Sequence, residues 1–218
     1  MTEANLQSAA LTGNRVVVFS DLDGALLDHD GYSFEAAKPA LAALAKHGIP
    51  IVAISSKTLH ELEAIAPEIG LSEAMIAENG AVIKFCDGMI DRAVSRVAIW
   101  EVLDTLSEDL RSSMQCFCDM ETEEISYLTG LDNTSAARAA MREATEPFLW
   151  HGDEAGLEMI GAKLALKDLQ IVQGGRFFHI VPPRDKAAAM KIMLAQFEEQ
   201  PESWALGDGP NDLGMLLA

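Results

Sequence analysis

The chain has 218 residues with 49% apolar content, enough for one sizeable domain or for a core domain with a smaller insert, and too apolar for a disordered chain. A formal net charge of −18 disfavours nucleic-acid phosphates and anionic membranes as general partners, although a metal ion and a few basic residues can reverse the field locally for a small anionic substrate. Three cysteines make no disulfide framework; Cys116 and Cys118 are expected to share one face of a strand, where two thiols supply only half of a zinc site and read as ordinary thiols.

Residues 1–14 are small and polar, without the apolar core of a signal peptide or a spanning segment, and read as a flexible leader on a soluble cytoplasmic protein. Val16 to Phe19 then form a β-branched apolar run suited to a strand buried on both faces, as in a parallel α/β sheet. The run ends in Asp21-Leu22-Asp23-Gly24, and ligands of open α/β sheets collect beyond the carboxyl ends of strands. Two adjacent carboxylates repel, so a hard cation such as Mg²⁺ is a natural partner; the plain alternative is a pair of acids that only terminates a strand.

Asp28-His29-Asp30-Gly31 reads as a turn, and Ser33 as the cap of a helix that carries Ala37, Leu41, Leu44 and Ala45 on one face and stops at Gly48. Ile49–Ile54 is a second buried strand, which makes residues 16–54 a β-α-β unit with parallel strands. This strand runs into Ser55-Ser56-Lys57-Thr58, a hydroxyl-rich helix entrance that can cradle phosphate or simply cap the helix through Ser56 or Thr58. The helix with Leu59, Leu62 and Ile65 is expected to kink or end at Pro67. A short strand at Met75–Ala77, a turn at Glu78-Asn79-Gly80 and a strand at Ala81–Phe85 follow, the Asn-Gly pair being enough for a tight reversal.

Composition changes near residue 90. Ala98–Leu110, Ser135–Thr145 and Leu157–Leu166 carry helical patterns, and Leu169–Val172 and Arg176–Val181 flank Gly174-Gly175 as a hairpin. Residues 91–182 are therefore expected to be an α/β cap inserted between core segments 15–90 and 183–218. Caps of this sort close over an active site and choose the substrate. The core resumes with Arg184-Asp185-Lys186 and a helix at Ala187–Phe197, where Lys186 fits either a site or ordinary surface charge. Ser203–Leu206 is a last strand, ending in Gly207-Asp208-Gly209-Pro210-Asn211-Asp212.

These four stretches, in this order, resemble the four motifs of the haloacid dehalogenase superfamily of aspartate-nucleophile phosphatases. The resemblance implies a Rossmann-like parallel-sheet core with an inserted α/β cap. It makes Asp21 the nucleophile and Asp23 the acid and base, with Ala25 where the family usually has Thr. It gives phosphoryl binding to Ser55, with Ser56 as the alternative register, and charge compensation to Lys186. The implied Mg²⁺ ligands are a carboxylate oxygen of Asp21, the backbone carbonyl of Asp23, and Asp208; Asn211 and Asp212 would orient phosphate, metal-bound water or Lys186. Lys57 would add charge towards the substrate, and Asn79 would border its entrance.

The likeness extends into the cap. Tyr127-Leu128-Thr129-Gly130-Leu131, Arg142–Phe148 and Gly174-Gly175-Arg176-Phe177-Phe178-His179 are similar to the mannosyl-3-phosphoglycerate phosphatase family. That implies a phosphorylated glycosyl-glycerate as substrate, with the mannosyl compound first and the glucosyl analogue second, and mannosylglycerate, a compatible solute, as product. Arg142 and Arg176 are the cap candidates for the glycerate carboxylate, and Glu146 and His179 for sugar hydroxyls; each also fits an ion pair or a structural hydrogen bond. Strand alternation would put Arg176 and His179 on opposite faces unless the hairpin bulges. Relatives continue with a further strand and helix, so a chain ending at Ala218 is expected to be truncated, with a core strand edge left unpaired. The competing readings are a broader sugar-phosphate phosphatase or phosphomutase and a catalytically silent binding protein; neither a basic face nor an aromatic platform supports a nucleic-acid binder.

Overall fold

The computed structural model describes residues 15–28 and 33–218; the expected leader, and His29 to Tyr32 of the first turn, lie outside that range. The chain divides into two compact units, one bounded as Met1–Asp91 with Arg184–Ala218, the other as Arg92–Pro183. The first is built on a six-stranded sheet and the second on a four-stranded one.

In the first unit the strands are β1 (Val16–Ser20), β2 (Ile51–Ile54), β3 (Met75–Ala77), β4 (Val82–Lys84), β5 (Ile90–Arg92) and β10 (Glu202–Leu206), in the order β10-β1-β2-β3-β4-β5. β10, β1, β2 and β3 run parallel, and β4 turns back antiparallel to β3. The apolar runs seen in the sequence explain this: Val17, Phe19, Val52, Ile54 and Ile76 are all fully buried in one core. Register places Val18 between Trp204 and Ile51, so the carboxyl ends of β10, β1 and β2 are neighbours. Asp21, Ser55 and Gly207 are therefore the first residues past three adjacent strands, and the Asp21 N–H donates to the Leu206 carbonyl at 2.8 Å.

Several local expectations are corrected. Ser33 does not cap the first helix: α1 is Lys38–Lys46 with Ala37 at its N-cap, and the Glu35 N–H donates to Ser33 Oγ. Pro39 decides the start, because a helix beginning at Ser33 would place a residue without an N–H in its interior. Pro67, in contrast, does not end α2 (Leu59–Ile69), which continues to a left-handed Gly70. Only one residue pair follows it before the helix stops, so the missing donor falls in the last turn.

The second unit contains β6 (Met114–Cys116), β7 (Glu146–Trp150), β8 (Gln170–Gly174) and β9 (Phe177–Val181), in the antiparallel order β6-β7-β9-β8. The hairpin about Gly174-Gly175 forms as expected. The helix expected at Ala98–Leu110 is two, α3 (Arg96–Leu103) and α4 (Glu108–Ser112), separated where the Thr105 hydroxyl donates to the Val102 carbonyl at 2.7 Å. α5 (Thr122–Thr129) was not foreseen; α6 is Asn133–Ala140 rather than Ser135–Thr145, and α7 is Glu154–Ala165. β7 was hidden by Pro147 in a central strand, whereas the strand expected to carry Cys116 and Cys118 is present as β6 but is only three residues long. β6 stops at Cys116 and Cys118 lies in the following 3-10 turn, so the two thiols do not share a strand face. Among the described residues, no helix is long and apolar enough to cross a membrane.

Candidate active site

The site is assembled wholly within the first unit. α8 (Lys186–Leu194) starts at Asp185, whose side chain accepts from the Ala188 N–H at 2.8 Å, and this cap fixes the first residue of the helix. That residue, Lys186, is 1% exposed. Its Nζ donates to Oδ1 of Asp21 at 2.9 Å and to Oδ1 of Asp212 at 2.6 Å. Buried this deeply and paired with two carboxylates, Lys186 is not ordinary surface charge.

Asp212 is itself fully buried, in a 3-10 turn Pro210–Asp212 after β10. Its Oδ2 accepts from the N–H groups of Asp208 and Gly209 at 3.1 and 3.0 Å. Gly207 is required there, since a Cβ on it would lie 2.5 Å from Cβ and Cγ of Asp212. The carboxylates of Asp21, Asp208 and Asp212 each offer an oxygen, all within 4.8 Å of one another. Burial pushes the Asp21 carboxyl above the usual range; Lys186 opposes that, and the charge of Asp212 adds to it.

Three carboxylates against one ammonium leave two negative charges in a cluster with two buried members. An all-oxygen donor set of that charge fits a hard divalent cation such as Mg²⁺. Asp23 is not in the carboxylate cluster: its Oδ2 accepts from Lys57 Nζ at 2.9 Å. Its Oδ1 is buried and has no hydrogen-bond partner among the described residues. Lys57 thus bonds within the site, to a residue that the sequence reading did not pair with it.

Ser55 is fully buried at the end of β2, and its Oγ accepts from the Lys57 N–H at 3.2 Å. Helix capping falls to Thr58 instead, which exchanges bonds with Glu61: the Glu61 N–H donates to Thr58 Oγ1 and the Thr58 N–H to Glu61 Oε2. Ser56 is exposed. The Asn79 N–H donates to the Ser55 carbonyl at 2.9 Å, and Asn211 Nδ2 donates to Asn79 Oδ1 at 3.2 Å, which ties the turn after β3 to the turn after β10. Glu78 and Asn79 are in the left-handed region, with φ of 51° and 57°.

Arg184 was not among the expected site residues. Its guanidinium donates to the carbonyls of Gly80 and Ala81 at 2.7 and 2.6 Å and pairs with Asp91 at 2.6 Å, anchoring the segment that leads to Lys186. A basic residue two positions before the lysine was the available signal, and it was indistinguishable from surface charge.

The cap candidates lie in the second unit and are not one group. Glu146 is fully buried and holds Arg96 through two bonds of 2.6 and 3.1 Å, while accepting from Trp100 Nε1 at 2.8 Å, so its role there is structural. Arg142 donates to Thr145 Oγ1 at 2.9 Å and lies in the segment after α6, not in a helix. Its charge, after burial, helps push the His179 imidazole down to about 4. Arg176 is exposed in the turn before β9 and donates to the Leu128 carbonyl, so strand alternation with His179 does not apply to it.

The sequence model of the haloacid dehalogenase-like hydrolases matches residues 18–148. The chain belongs to that family. A glucosyl-3-phosphoglycerate/mannosyl-3-phosphoglycerate phosphatase of Persephonella marina is 36% identical to it across 92% of this chain and 81% of that protein. Among solved structures, this haloacid dehalogenase-like hydrolase resembles a member of the same group from Bacteroides thetaiotaomicron, with a TM-score of 0.64 and 18% identity over 93% of this chain and 84% of the other. Protein 0175 of Thermoplasma acidophilum gives a TM-score of 0.65 at 22% identity, over 93% and 80% of the two chains. At those identities the structures speak for the fold alone.

Proposed function

We propose that this hydrolase is a Mg²⁺-dependent phosphatase that removes phosphate from mannosyl-3-phosphoglycerate, with glucosyl-3-phosphoglycerate as a close second substrate. The observation that carries the chemistry is the bridge of Lys186 between Asp21 and Asp212 beside a third carboxylate, Asp208. The substrate follows from the likeness to the Persephonella marina phosphatase, which spans the second unit as well as the first.

Asp21 attacks phosphorus in line and takes the phosphoryl group as an acyl phosphate, dividing one difficult displacement into two. Its approach to a dianion is eased by Lys186, which keeps Oδ1 in place and offsets charge. Asp23 gives a proton to the leaving alkoxide and then takes one from the water that hydrolyses the acyl phosphate. Ser55, whose Oγ already accepts a bond, has its hydroxyl proton to give to a phosphoryl oxygen, and Asn211 stands beside it through Asn79. Asp21, Asp208 and Asp212, with the backbone carbonyl of Asp23, would hold Mg²⁺, which when bound supplies charge stabilisation to the transferring oxygens. Asp212 serves also as the second anchor of Lys186. The second unit acts as the cap that selects the ester, with Arg142, Arg176 and His179 as residues to test for sugar and glycerate contacts. A cytoplasmic location suits such a substrate.

The test is phosphate release from the two glycosyl-3-phosphoglycerates and a panel of common sugar phosphates, with Mg²⁺ and with EDTA. Strong preference for the two named esters supports the reading. Equal release from all of them removes the substrate assignment, and Mg²⁺-independent release removes the metal.

A further inference from the structure

We propose that Cys116, Cys118 and Asp119 of the second unit form a binding site for one thiophilic divalent cation of the zinc and cadmium class. The turn after β6 folds these residues back on one another: Asp119 Oδ2 accepts from the Cys116 N–H at 3.1 Å, and Cys118 Sγ lies 3.8 Å from Asp119 Oδ1. The two sulfurs and a carboxylate oxygen all fall within 4.8 Å of one another. Tetrahedral coordination with ordinary zinc bond lengths asks for sulfur–sulfur and sulfur–oxygen separations of about 3.5–3.8 Å, so the site needs only a small contraction.

Sequence alone offers two thiols here, half of a zinc site. The fold adds the third ligand and the electrostatics. Arg111 Nη2 donates to both oxygens of Asp119, at 2.7 and 2.9 Å, which fixes the carboxylate while leaving lone pairs for a metal. Once the thiols give up their protons on binding, two thiolates and one carboxylate against the guanidinium carry two negative charges, which the divalent cation neutralises. Cys116 is buried and anchors the site; Cys118 and Asp119 are exposed and give access from solvent. The exposure of Cys118 and Asp119 leaves a fourth position for water or another small ligand.

Soft sulfur ligands separate this site from the all-oxygen cluster of the first unit, which suits Mg²⁺. Binding forms two metal–sulfur bonds and releases the two thiol protons to solvent, with no change of oxidation state.

The experiment is a titration of the reduced full chain with Cd²⁺ under argon, read by the thiolate-to-cadmium charge-transfer absorption. The expected result is a band that saturates at one equivalent per chain, is unchanged in Cys86→Ser, is lost in Cys118→Ser and is weakened at least tenfold in Asp119→Asn. Cys118 is exposed, so its replacement leaves the fold intact, which a circular-dichroism melt verifies. A band that never saturates, that survives in Cys118→Ser, or that ignores Asp119→Asn overturns the three-ligand site.

Discussion

The α-carbon of Gly80 packs so closely against the main chain of Asp185 that a methyl group there would sit 2.3 Å from the Asp185 carbonyl oxygen. Gly80 also has φ of +103°, a conformation that L side chains rarely adopt. The next residue along from Asp185 is Lys186, so this contact sets where the helix begins and where the ammonium points. Gly80→Ala is expected to lower stability by roughly 1–3 kcal/mol in urea unfolding and to reduce kcat at least tenfold while KM changes little. Unchanged kcat would show that Lys186 does not depend on this seat.

Replacing the lysine itself leaves Asp21 and Asp212 buried without their shared cation. Lys186→Met is expected to cost about 3–5 kcal/mol in metal-free unfolding, the range for removing one member of a buried ion pair, and to abolish turnover. A variant as stable as the parent would mean that the carboxylates find other compensation.

Asp21→Asn keeps shape and the possibility of a bond to Lys186 but removes the nucleophilic oxygen. Turnover should fall by at least about 10³-fold with the circular-dichroism spectrum unchanged. Substantial remaining activity would exclude Asp21 as the group that takes the phosphoryl.

Asp208 is exposed, and its backbone N–H donates to Asp212 Oδ2 at 3.1 Å. Asp208→Asn should raise the Mg²⁺ concentration needed for half-maximal rate by about tenfold or more, and excess Mg²⁺ should restore part of the activity. A rate profile that does not move along the Mg²⁺ axis would take Asp208 out of the metal set.

His179 gives the second unit a pH dependence whose sign follows from its environment. Burial, and then the charge of Arg142, disfavour the protonated ring and push it down to about 4 in the folded protein, from an ordinary 6.5. Between those values the unfolded chain binds a proton that the folded chain refuses. The neutral ring's contribution is therefore complete above about pH 6.5 and is lost as pH falls towards 4, with a slope approaching ~1.4 kcal/mol per pH unit. His179→Gln should flatten unfolding free energy against pH across that window, measured by urea titration at several pH values.

Much of the first unit could be read from the chain because its signals are local. Strands buried on both faces leave continuous apolar runs, and each site residue stands just past one of them or at a helix start. Lys186 was harder to place by physics alone, because a lone lysine in a first turn looks the same whether solvent or two carboxylates receive it; order among the motifs separated the two. The second unit hid more. Pro147 conceals a central strand, Thr105 interrupts what reads as one helix, and Glu146 has the look of a sugar ligand although Arg96 and Trp100 occupy it. Such partners lie 46 to 50 residues away, beyond the reach of any periodicity.

β1 pairs along its whole length with β10, so that Val16 lies beside Glu202 and Ser20 beside Leu206. During synthesis β1 thus waits for a strand made much later in the chain. During that interval the segment Arg92–Pro183, a compact unit in itself, is free to fold ahead of its host. Asp21 meanwhile has neither Lys186 nor the carboxylates of Asp208 and Asp212. The carboxylate cluster and the β1–β10 pairing are thus completed together, and that pairing, made at large sequence separation, is a step on which folding speed should depend.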